Sequence, residues 1–256
     1  MRSGRALVWP LIPVIIVLGQ VAFVQAQTAP SAALTGMAAA AACAPLEGPV
    51  PPASEGLRIL GAQDTIARYL YGLDDLVVVN GGTQAGVQLN QEYFIRRGYA
   101  FGPPARSAEG LRTIHTAGSL RIVAVNDTTS IARIQSVCDG VMAGDYLEPF
   151  APPALIADDE PGTAATLDFS SLGRVKFGDE ERTLGAPGDF MLVDSGGAAL
   201  APGVRVAVYR DLRIAGLPLA AIGEGVIVSV ENGTPLMRIS SARDAIQSGD
   251  YVVRYK

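Results

Sequence analysis

The sequence predicts a mainly β protein: two tandem small β-barrel or sandwich domains that follow a signal peptide and a disordered Ala/Pro-rich tail. Two observations lead to this fold class. Short runs of β-branched and aromatic residues recur at the spacing of strands and turns. Two long segments of the chain also match each other in sequence. The predicted boundaries are 1–26 for the signal peptide, 27–54 for the linker, 55–148 for the first β domain, 149–168 for a Pro/acidic linker and 169–256 for the second β domain.

The strand candidates alternate with turn residues throughout both segments. Asn232-Gly233 separates two of them and supplies the positive φ angles that a two-residue hairpin requires. Residues 241–249 are interpreted as one short helical turn before a last strand. The predicted strands lie at 77–79, 93–95, 120–125 and 130–134 in the first domain, and at 225–230, 236–240 and 251–253 in the second. Because a small sheet hides its edges best by curling, we expect each domain to form a barrel or a compact sandwich.

The match between the two segments indicates a duplication. Leu76–Asn80 corresponds to Phe190–Asp194, and Tyr93–Arg96 corresponds to Ala207–Arg210, both at an offset of 114. At an offset of 105, the residues Gly118, Ile122, Val123, Val125, Thr129, Arg133, Ile134, Ser136, Asp139, Gly144, Asp145 and Tyr146 recur as Gly223, Ile227, Val228, Val230, Thr234, Arg238, Ile239, Ser241, Asp244, Gly249, Asp250 and Tyr251. The change of offset predicts a 9-residue insertion in the first copy near residues 98–117.

The first 26 residues have the three-part order of a secretory signal peptide. Arg2 and Arg5 precede an apolar run at 6–19, and small residues lie before a cleavage site after Ala26. The run has about 14 residues, fewer than the ~20 that a membrane-spanning helix needs. We therefore expect an exported protein of the periplasm or outer cell envelope, with no transmembrane span in the mature chain.

The two predicted linkers differ from the β segments in composition. Residues 27–54 combine an alanine run with several prolines and carry a single acid, Glu47. Residues 149–168 combine prolines, acids and a glycine. The prolines have no amide donors, and the acids keep the segment solvated. We place a domain boundary in the second of these segments.

The balance of charge excludes a class of partner. The chain has 20 basic and 25 acidic residues, and both arginines of the predicted signal peptide would be lost on cleavage. Nucleic-acid binding requires a basic face, so we expect no nucleic-acid partner. The hydrophobic fraction of 49% also excludes disorder along the whole length.

The pattern of turns and strand ends in each copy is distinctive, and the segments Ala201–Val204, Val208–Arg210, Ile222–Val226 and Ile246–Asp250 carry it most clearly. It resembles the small β domain at the C-terminus of flagellar assembly protein T. It is also similar to duplicated domains of bacterial LysM-type cell-envelope proteins, although no LysM module is visible before residue 54. The resemblance covers roughly residues 57–148 and 170–256. It implies a non-enzymatic envelope scaffold or binding protein that is associated with peptidoglycan or with an assembly.

Two other functions stay open. The first is a subunit of a flagellar or secretion-type envelope assembly. The second is a cell-wall-modifying enzyme in which Cys138 is the nucleophile and His115, the only histidine, is its base. A lone histidine is more often structural, and we predict no catalytic residue, no metal site and no cofactor. Cys43 and Cys138 either form a disulfide or remain two free thiols.

Two charged residue types recur at matching positions of both copies. Asp145 and Asp250 follow a glycine, which favours a turn, and the simpler interpretation adds an ion pair within each unit. Arg133 and Arg238 alternate with apolar neighbours, so they should point outward or toward the rim. The functional alternative is that these arginines bind a partner, either another envelope protein or an acidic cell-wall glycan.

Overall fold

In the computed structural model, the described residues are 37–66, 68–98, 112–151 and 166–256. The predicted signal peptide, the beginning of the predicted tail and most of the second linker lie outside them. The described chain is mainly β, and this confirms the predicted fold class. It forms a curled sheet from the first half of the chain and a closed barrel from the second half.

The curled sheet contains seven strands. They are β1 (Leu46–Gly48), β2 (Ile59–Ala62), β3 (Leu76–Val79), β4 (Glu92–Gly98), β5 (Arg112–Val125), β6 (Ser130–Val137) and β7 (Tyr146–Pro149). The strand order is β2-β3-β6-β5-β4-β7, and β1 pairs with the outer part of β5. A six-residue helix, α1 (Met37–Ala42), precedes β1, and a 3-10 turn at Thr83–Ala85 follows β3.

The closed barrel contains six of the eight strands in the second half. The strands of this half are β8 (Leu167–Gly178), β9 (Leu184–Gly185), β10 (Phe190–Asp194), β11 (Arg205–Arg210), β12 (Ala220–Glu231), β13 (Thr234–Ala242), β14 (Ile246–Gln247) and β15 (Tyr251–Tyr255). The order around the barrel is β10-β13-β12-β11-β15-β8. β9 and β14 form a separate ribbon, and a 3-10 turn at Asp179–Glu181 follows β8.

Alternating strand positions fill the inside of each sheet with branched side chains. Those of the curled sheet include Ile59, Val77, Val79, Ile95, Leu120, Ile122 and Ile134, all of them at most 1% exposed. Those of the barrel include Val175, Met191, Val193, Val206, Val208, Ile227, Met237 and Ile239, all of them at most 2% exposed. Because a strand alternates its faces, these positions follow one another at every second residue.

The turn predictions have different outcomes. Asn232 and Gly233 have φ angles of 49° and 78° and connect β12 to β13 as a two-residue hairpin loop, as predicted. The expected helical turn at 241–249 is wrong. Ile246–Gln247 is extended there and pairs with β9, because the buried side chain of Ile246 belongs to the barrel core.

The matched strands have a register that differs by one residue from the sequence alignment. Ile95 pairs with Gly118 in the curled sheet, and Val208 pairs with Gly223 in the barrel, each followed by a bulge. Ile95 therefore corresponds to Val208, and Arg97 corresponds to Arg210. The predicted match of Arg96 with Arg210 is wrong, and a shift of one residue moves every side chain of a strand to the opposite face.

The segment interpreted as a linker contains ordered structure in its described part. Leu46 pairs with Ile114 of β5, and Gly48 pairs with Arg112. Ala44 is 4% exposed, because it packs on the outer side of the barrel. The same pairing places the outer part of β5, predicted to be an insertion, in the curled sheet.

Candidate functional site at the junction of sheet and barrel

A disulfide joins the N-terminal segment to the curled sheet. Cys43 and Cys138 are bonded, with their Cα atoms 5.5 Å apart and a sequence separation of 95 residues. Of the two alternatives that the sequence left open, the structure has the disulfide. A bonded sulfur has no thiolate form, so Cys138 is not available as the nucleophile of an enzyme.

The residues that follow Cys43 connect the curled sheet to the barrel, and we call residues 43–48 the strap. One edge of the strap pairs with β5. On the barrel side, the Glu47 carboxylate accepts hydrogen bonds from Lys176 Nζ and, at 3.0 Å, from Thr234 Oγ1. The Glu47 carbonyl accepts a hydrogen bond of 3.0 Å from Asn232 Nδ2. The strap is therefore held by hydrogen bonds on both of its sides.

The outer part of β5 makes a second, polar contact with the barrel. His115 is 1% exposed, and its Nδ1 lies 3.0 Å from Asp179 Oδ1 of the barrel. Its Nε2 lies 3.5 Å from Asp139 Oδ2 of the curled sheet. Thr113 donates a hydrogen bond of 3.3 Å to Glu181. The histidine therefore lies between carboxylates of the two halves.

A buried arginine extends this polar junction. The Arg96 guanidinium lies over the Phe94 ring, 4.2 Å from its centroid, and donates to Glu148 Oε2 at 3.1 Å. It also donates to Thr116 Oγ1. Burial lowers the pKa of Arg96, while the charge of Glu148 and the more distant charge of Glu231 in the barrel oppose this shift. The guanidinium of Arg96 is therefore held by partners of the curled sheet, and a carboxylate of the barrel adds to its electrostatic surroundings.

One arginine–aspartate pair recurs in both halves. Arg97 binds Asp145 with Nε–Oδ1 and Nη2–Oδ2 distances of 2.7 and 2.8 Å. Arg210 binds Asp250 in the same two-pronged way, with both distances 2.8 Å. The hydrogen bond with Asp250 raises the pKa of Arg210. Each aspartate side chain is at most 4% exposed, so each pair is a charge-assisted anchor inside its own half.

The surroundings of the two pairs also match. Met142 donates its amide to Asp145 at 2.8 Å, and Gln247 donates its amide to Asp250 at 2.7 Å. The arginines donate further to the carbonyls of Gly140 and Ala245. The amide contacts of Asp145 and Asp250 are those of the turn that the sequence predicts. The ion-pair partners of these two aspartates are Arg97 and Arg210.

A further arginine in each half makes the same contacts where the first and last strands of the sheet meet. Arg58 Nη1 donates to the Gly144 carbonyl at 2.8 Å, and Arg174 Nη1 donates to that of Gly249 at 2.9 Å. Arg58 lies 5.7 Å from the centroid of the Tyr146 ring, and Arg174 lies 4.2 Å from that of its counterpart, Tyr251. Burial raises the pKa of Tyr146 to about 12.

The predicted partner-binding arginines lie on corresponding strands of different sheets. Arg133 on β6 has a 48% exposed side chain and lies 4.0 Å from Asp74. Arg238 on β13 is half-buried and pairs across the sheet with Phe190 and Val226. Sequence reasoning missed the roles of Glu47 and Arg97. One signal for Arg97 is present in the sequence, because an arginine recurs in the second copy as Arg210. The sequence alignment matches Arg210 with Arg96, the neighbour of Arg97.

A cavity of about 350 Å³ lies beside the strap contacts. Its lining includes Lys176 and Thr234, which bind Glu47, together with Arg174, Asp194 and Ser195. Among the described residues, no group of histidine, cysteine and acidic side chains could hold a metal ion. The described part of the chain also has no helix long and apolar enough to cross a membrane.

No family model matches this chain, and no curated protein matches it in sequence.

Proposed function

We propose that the protein is an exported, non-enzymatic scaffold or binding protein of the bacterial cell envelope. The observation that carries the proposal is the disulfide between Cys43 and Cys138. Disulfides form and persist in oxidising compartments such as the periplasm, and they are rare in the cytosol. Both cysteines follow the predicted cleavage site after Ala26, so the mature chain keeps them.

The two halves of the mature chain are proposed to be copies of one unit. Three sets of matching contacts support a duplication. The strand orders correspond, with β2, β3, β4, β5, β6 and β7 in the places of β8, β10, β11, β12, β13 and β15. The Arg97–Asp145 pair corresponds to Arg210–Asp250, and the bulges in β4 and β11 have the same register.

The contacts at the junction favour a structural role over catalysis. His115 lies between Asp179 and Asp139, and Cys138 is bonded to Cys43. Each of these groups is used to hold two parts of the chain together. The proposed partners are other envelope proteins or cell-wall glycan, with the exposed Arg133 as a candidate contact residue.

The alternative function, a subunit of a larger envelope assembly, is favoured by a specific feature. Several large apolar side chains of both halves are more than half exposed, among them Tyr69, Leu70, Ile214 and Leu217. Exposed apolar side chains that lie together on a protein surface are typical of contact sites for other proteins.

The experiment that tests export uses the full chain with its predicted signal peptide. Expressed in a Gram-negative host, the protein should appear in the periplasmic fraction, begin at Gln27 by intact mass and carry no free thiol. The matched control lacks residues 1–26, should stay in the cytosol and should react with two thiol reagent molecules per chain. Retention of the full chain in the cytosol with its first 26 residues intact would contradict the proposal.

A further inference from the structure

The cavity beside the strap lies where the ladder between two barrel strands ends. The last residue pair of β10 and β13 is Leu192 with Leu236. The residues that would pair next, Val193 and Pro235, both line the cavity. A proline nitrogen has no hydrogen to donate, so it cannot continue a ladder of backbone hydrogen bonds. The ladder therefore ends at Leu236, and a space of about 350 Å³ lies beyond it.

The corresponding strands of the curled sheet continue their ladder by one more pair. Val79 pairs with Ser130 there, and Ser130 stands at the position that Pro235 has in the barrel. Ser130 Oγ also donates a hydrogen bond to the carbonyl of Gly81, the residue that corresponds to Ser195. The two strands are thus joined where the barrel has its cavity, and the proline distinguishes the two halves.

The charged groups around the cavity balance one another. Arg174 and Lys176 of β8 line it, together with the exposed side chain of Asp194 at the end of β10. The Glu47 carboxylate of the strap binds Lys176 and offsets its charge. The Arg174 guanidinium donates to a carbonyl and to the Tyr251 hydroxyl, both of them neutral groups. Because two cations and two carboxylates meet here, the site favours a ligand without net charge.

The lining both donates and accepts hydrogen bonds. Arg174 has only donors, and the carboxylate of Asp194 has only acceptors. The Ser195 hydroxyl does both, and the Thr234 hydroxyl, which donates to Glu47, can still accept. Each hydroxyl of a sugar also donates and accepts, so neighbouring hydroxyls of one ring match this set. A carboxylate ligand would use the donors alone and would meet the negative charge of Asp194.

The size and one apolar wall of the cavity agree with this chemistry. Pro235 offers an apolar surface to the C–H groups of a sugar ring. The volume of about 350 Å³ lies at the lower end of the ~300–1,000 Å³ of ligand pockets, which suits one ring rather than a longer segment of a glycan.

We propose that the barrel cavity binds one neutral sugar residue of a glycan. Arg174, Asp194 and Ser195 bind the ring hydroxyls, while Glu47 stays on Lys176 and keeps that cation from attracting acidic ligands. The glycan partner of the proposed function thereby receives a chemical class, and in this respect the site rests on that function.

The test titrates the chain from Gln27 to Lys256, with its disulfide intact, and follows the amide shifts by NMR spectroscopy. The probes are N-acetylglucosamine and N-acetylmuramate, which has the same ring with an added carboxylate. N-acetylglucosamine should shift the amides of residues 174–176, 193–195 and 233–234, with a dissociation constant of about 1 mM for a ligand of this size. N-acetylmuramate should bind several-fold more weakly.

Two variants and a matched control test the site. Ser195→Leu fills the cavity and should abolish these shifts. Ser240→Leu makes the same change at an exposed serine of β13 outside the lining and should bind as the parent does. Asp194→Asn keeps an oxygen for the amide of Gly196 but removes the charge, so it should reverse the order of the two probes. Should Ser195→Leu melt early, the mapped shifts and this reversal decide.

Four outcomes would overturn the proposal. They are no shift in the three lining segments, tighter binding of N-acetylmuramate than of N-acetylglucosamine by the parent, an unchanged order with Asp194→Asn, and equally tight binding of alanine, a zwitterion without hydroxyls. The export experiment has a separate readout. Failure to bind the sugar leaves the location of the protein unaffected, and retention in the cytosol leaves the titration unaffected.

Discussion

The curled sheet and the closed barrel share a strand order but differ in how their ends meet. In the barrel, the twelve-residue strand β8 pairs with β15 through one part of its length and with β10 through another. In the curled sheet, the corresponding strand β2 has four residues and pairs as a strand only with β3. Its contact with β7 is reduced to the bridge between Arg58 and Tyr146 and a few backbone hydrogen bonds. The length of one strand thus decides whether the sheet closes.

The half that closes less completely is the one that receives external support. The disulfide ends at Cys138 beside β6, and β1 adds a strand to the outer part of β5. The barrel gains no covalent link among its described residues. A weak closure leaves unpaired strand groups, and cross-links from outside the sheet offset that weakness. Each half contains its own arginine–aspartate pair, so we expect the two halves to respond alike when that pair is broken. We expect them to respond differently when the disulfide is removed, because it ends in the curled sheet.

The largest effects are expected at the shared anchor. Arg97→Met and Arg210→Met would each leave a buried aspartate without its cation, and such losses cost about 3–5 kcal/mol. In hydrogen exchange followed by mass spectrometry, the first variant should expose the amides of the curled sheet, and the second should expose those of the barrel. The control Arg133→Met changes a half-exposed arginine and should stay within about 0.5 kcal/mol of the parent.

Equal loss of protection in both halves with either variant would contradict two separate anchors. Double variants provide a second check on the assignment. Adding Asp145→Asn to Arg97→Met removes the unpaired charge and should recover part of the lost stability. Adding the same substitution to Arg210→Met should give no recovery, because Asp250 and not Asp145 is the partner of Arg210.

The next largest effect separates the halves. The double variant Cys43→Ala/Cys138→Ala removes a link between residues 95 apart, and a chain-entropy argument gives a loss of at most about 4.7 kcal/mol. The amides of the curled sheet and of the strap should lose protection before those of the barrel. The measurement is chemical denaturation combined with hydrogen exchange. An equal loss of amide protection in the barrel would show that the disulfide supports both halves. It would contradict a support that is confined to the curled sheet.

Sequence patterns predicted the fold because its cores depend on local alternation. The strands at 77–79 and 120–125 are rich in branched aliphatic residues whose buried members lie at every second position, and Asn232-Gly233 has the backbone freedom that its turn needs. The wrong match of Arg96 with Arg210 has a physical cause. Two consecutive arginines fit the sequence alignment equally well, and only the strand register decides which of them faces Asp145.

The junction was beyond prediction because its contacts join residues that are far apart in the chain. Glu47 lies 129 residues from Lys176 and 187 from Thr234, and nothing local marks it as a partner of either. Composition indicated a linker, since prolines and alanines surround Glu47. The strand there is stabilised by the edge of β5 and by the barrel surface, and propensity alone does not encode these tertiary contacts.

A smaller effect is expected at the strap. Glu47→Gln removes the charge that binds Lys176 but keeps the shape of the side chain, so we expect a loss of about 1–3 kcal/mol in the contact between the halves. The measurement uses a protease site introduced between residues 152 and 165, followed by the dissociation constant of the two cleaved parts. The constant should rise about 5- to 150-fold. Glu55→Gln, a change at an exposed acid before β2, is the matched control.

The disulfide does not obscure that experiment, because both cysteines lie before the introduced site and remain in one part. The parts are then held by the strap, by the contact of His115 with Asp179 and by that of Thr113 with Glu181. The Gln variant and the parent could also have the same affinity within error. This result would mean that the apolar contact of Ala44 with Leu192, Val228 and Leu236 holds the two parts together. In that case the polar contacts fix the orientation of the halves without adding to their affinity.

The smallest effect at neutral pH, and the most specific, concerns Tyr146 at the weak closure of the curled sheet. Burial raises the pKa of Tyr146 to about 12, whereas the same phenol in the unfolded chain ionises near its ordinary value of 10. Because the folded state holds the proton more tightly, its contribution to stability is complete below pH ~10 and is lost as the pH rises toward ~12. The shift corresponds to at most about 2–3 kcal/mol. Tyr146→Phe should therefore change little at pH 7 and should flatten the alkaline fall in stability, measured by urea unfolding in brief incubations.

The control for this prediction is Tyr69→Phe, because Tyr69 is 93% exposed and its ring contributes nothing to a buried site. Its alkaline profile should match that of the parent. Parallel profiles for Tyr146→Phe and the parent would mean that the phenol ionises at the same pH in the folded and the unfolded chain and would contradict the raised pKa. Since one bridge and a few backbone bonds join the ends of the sheet there, that outcome would indicate that this closure admits water to the phenol.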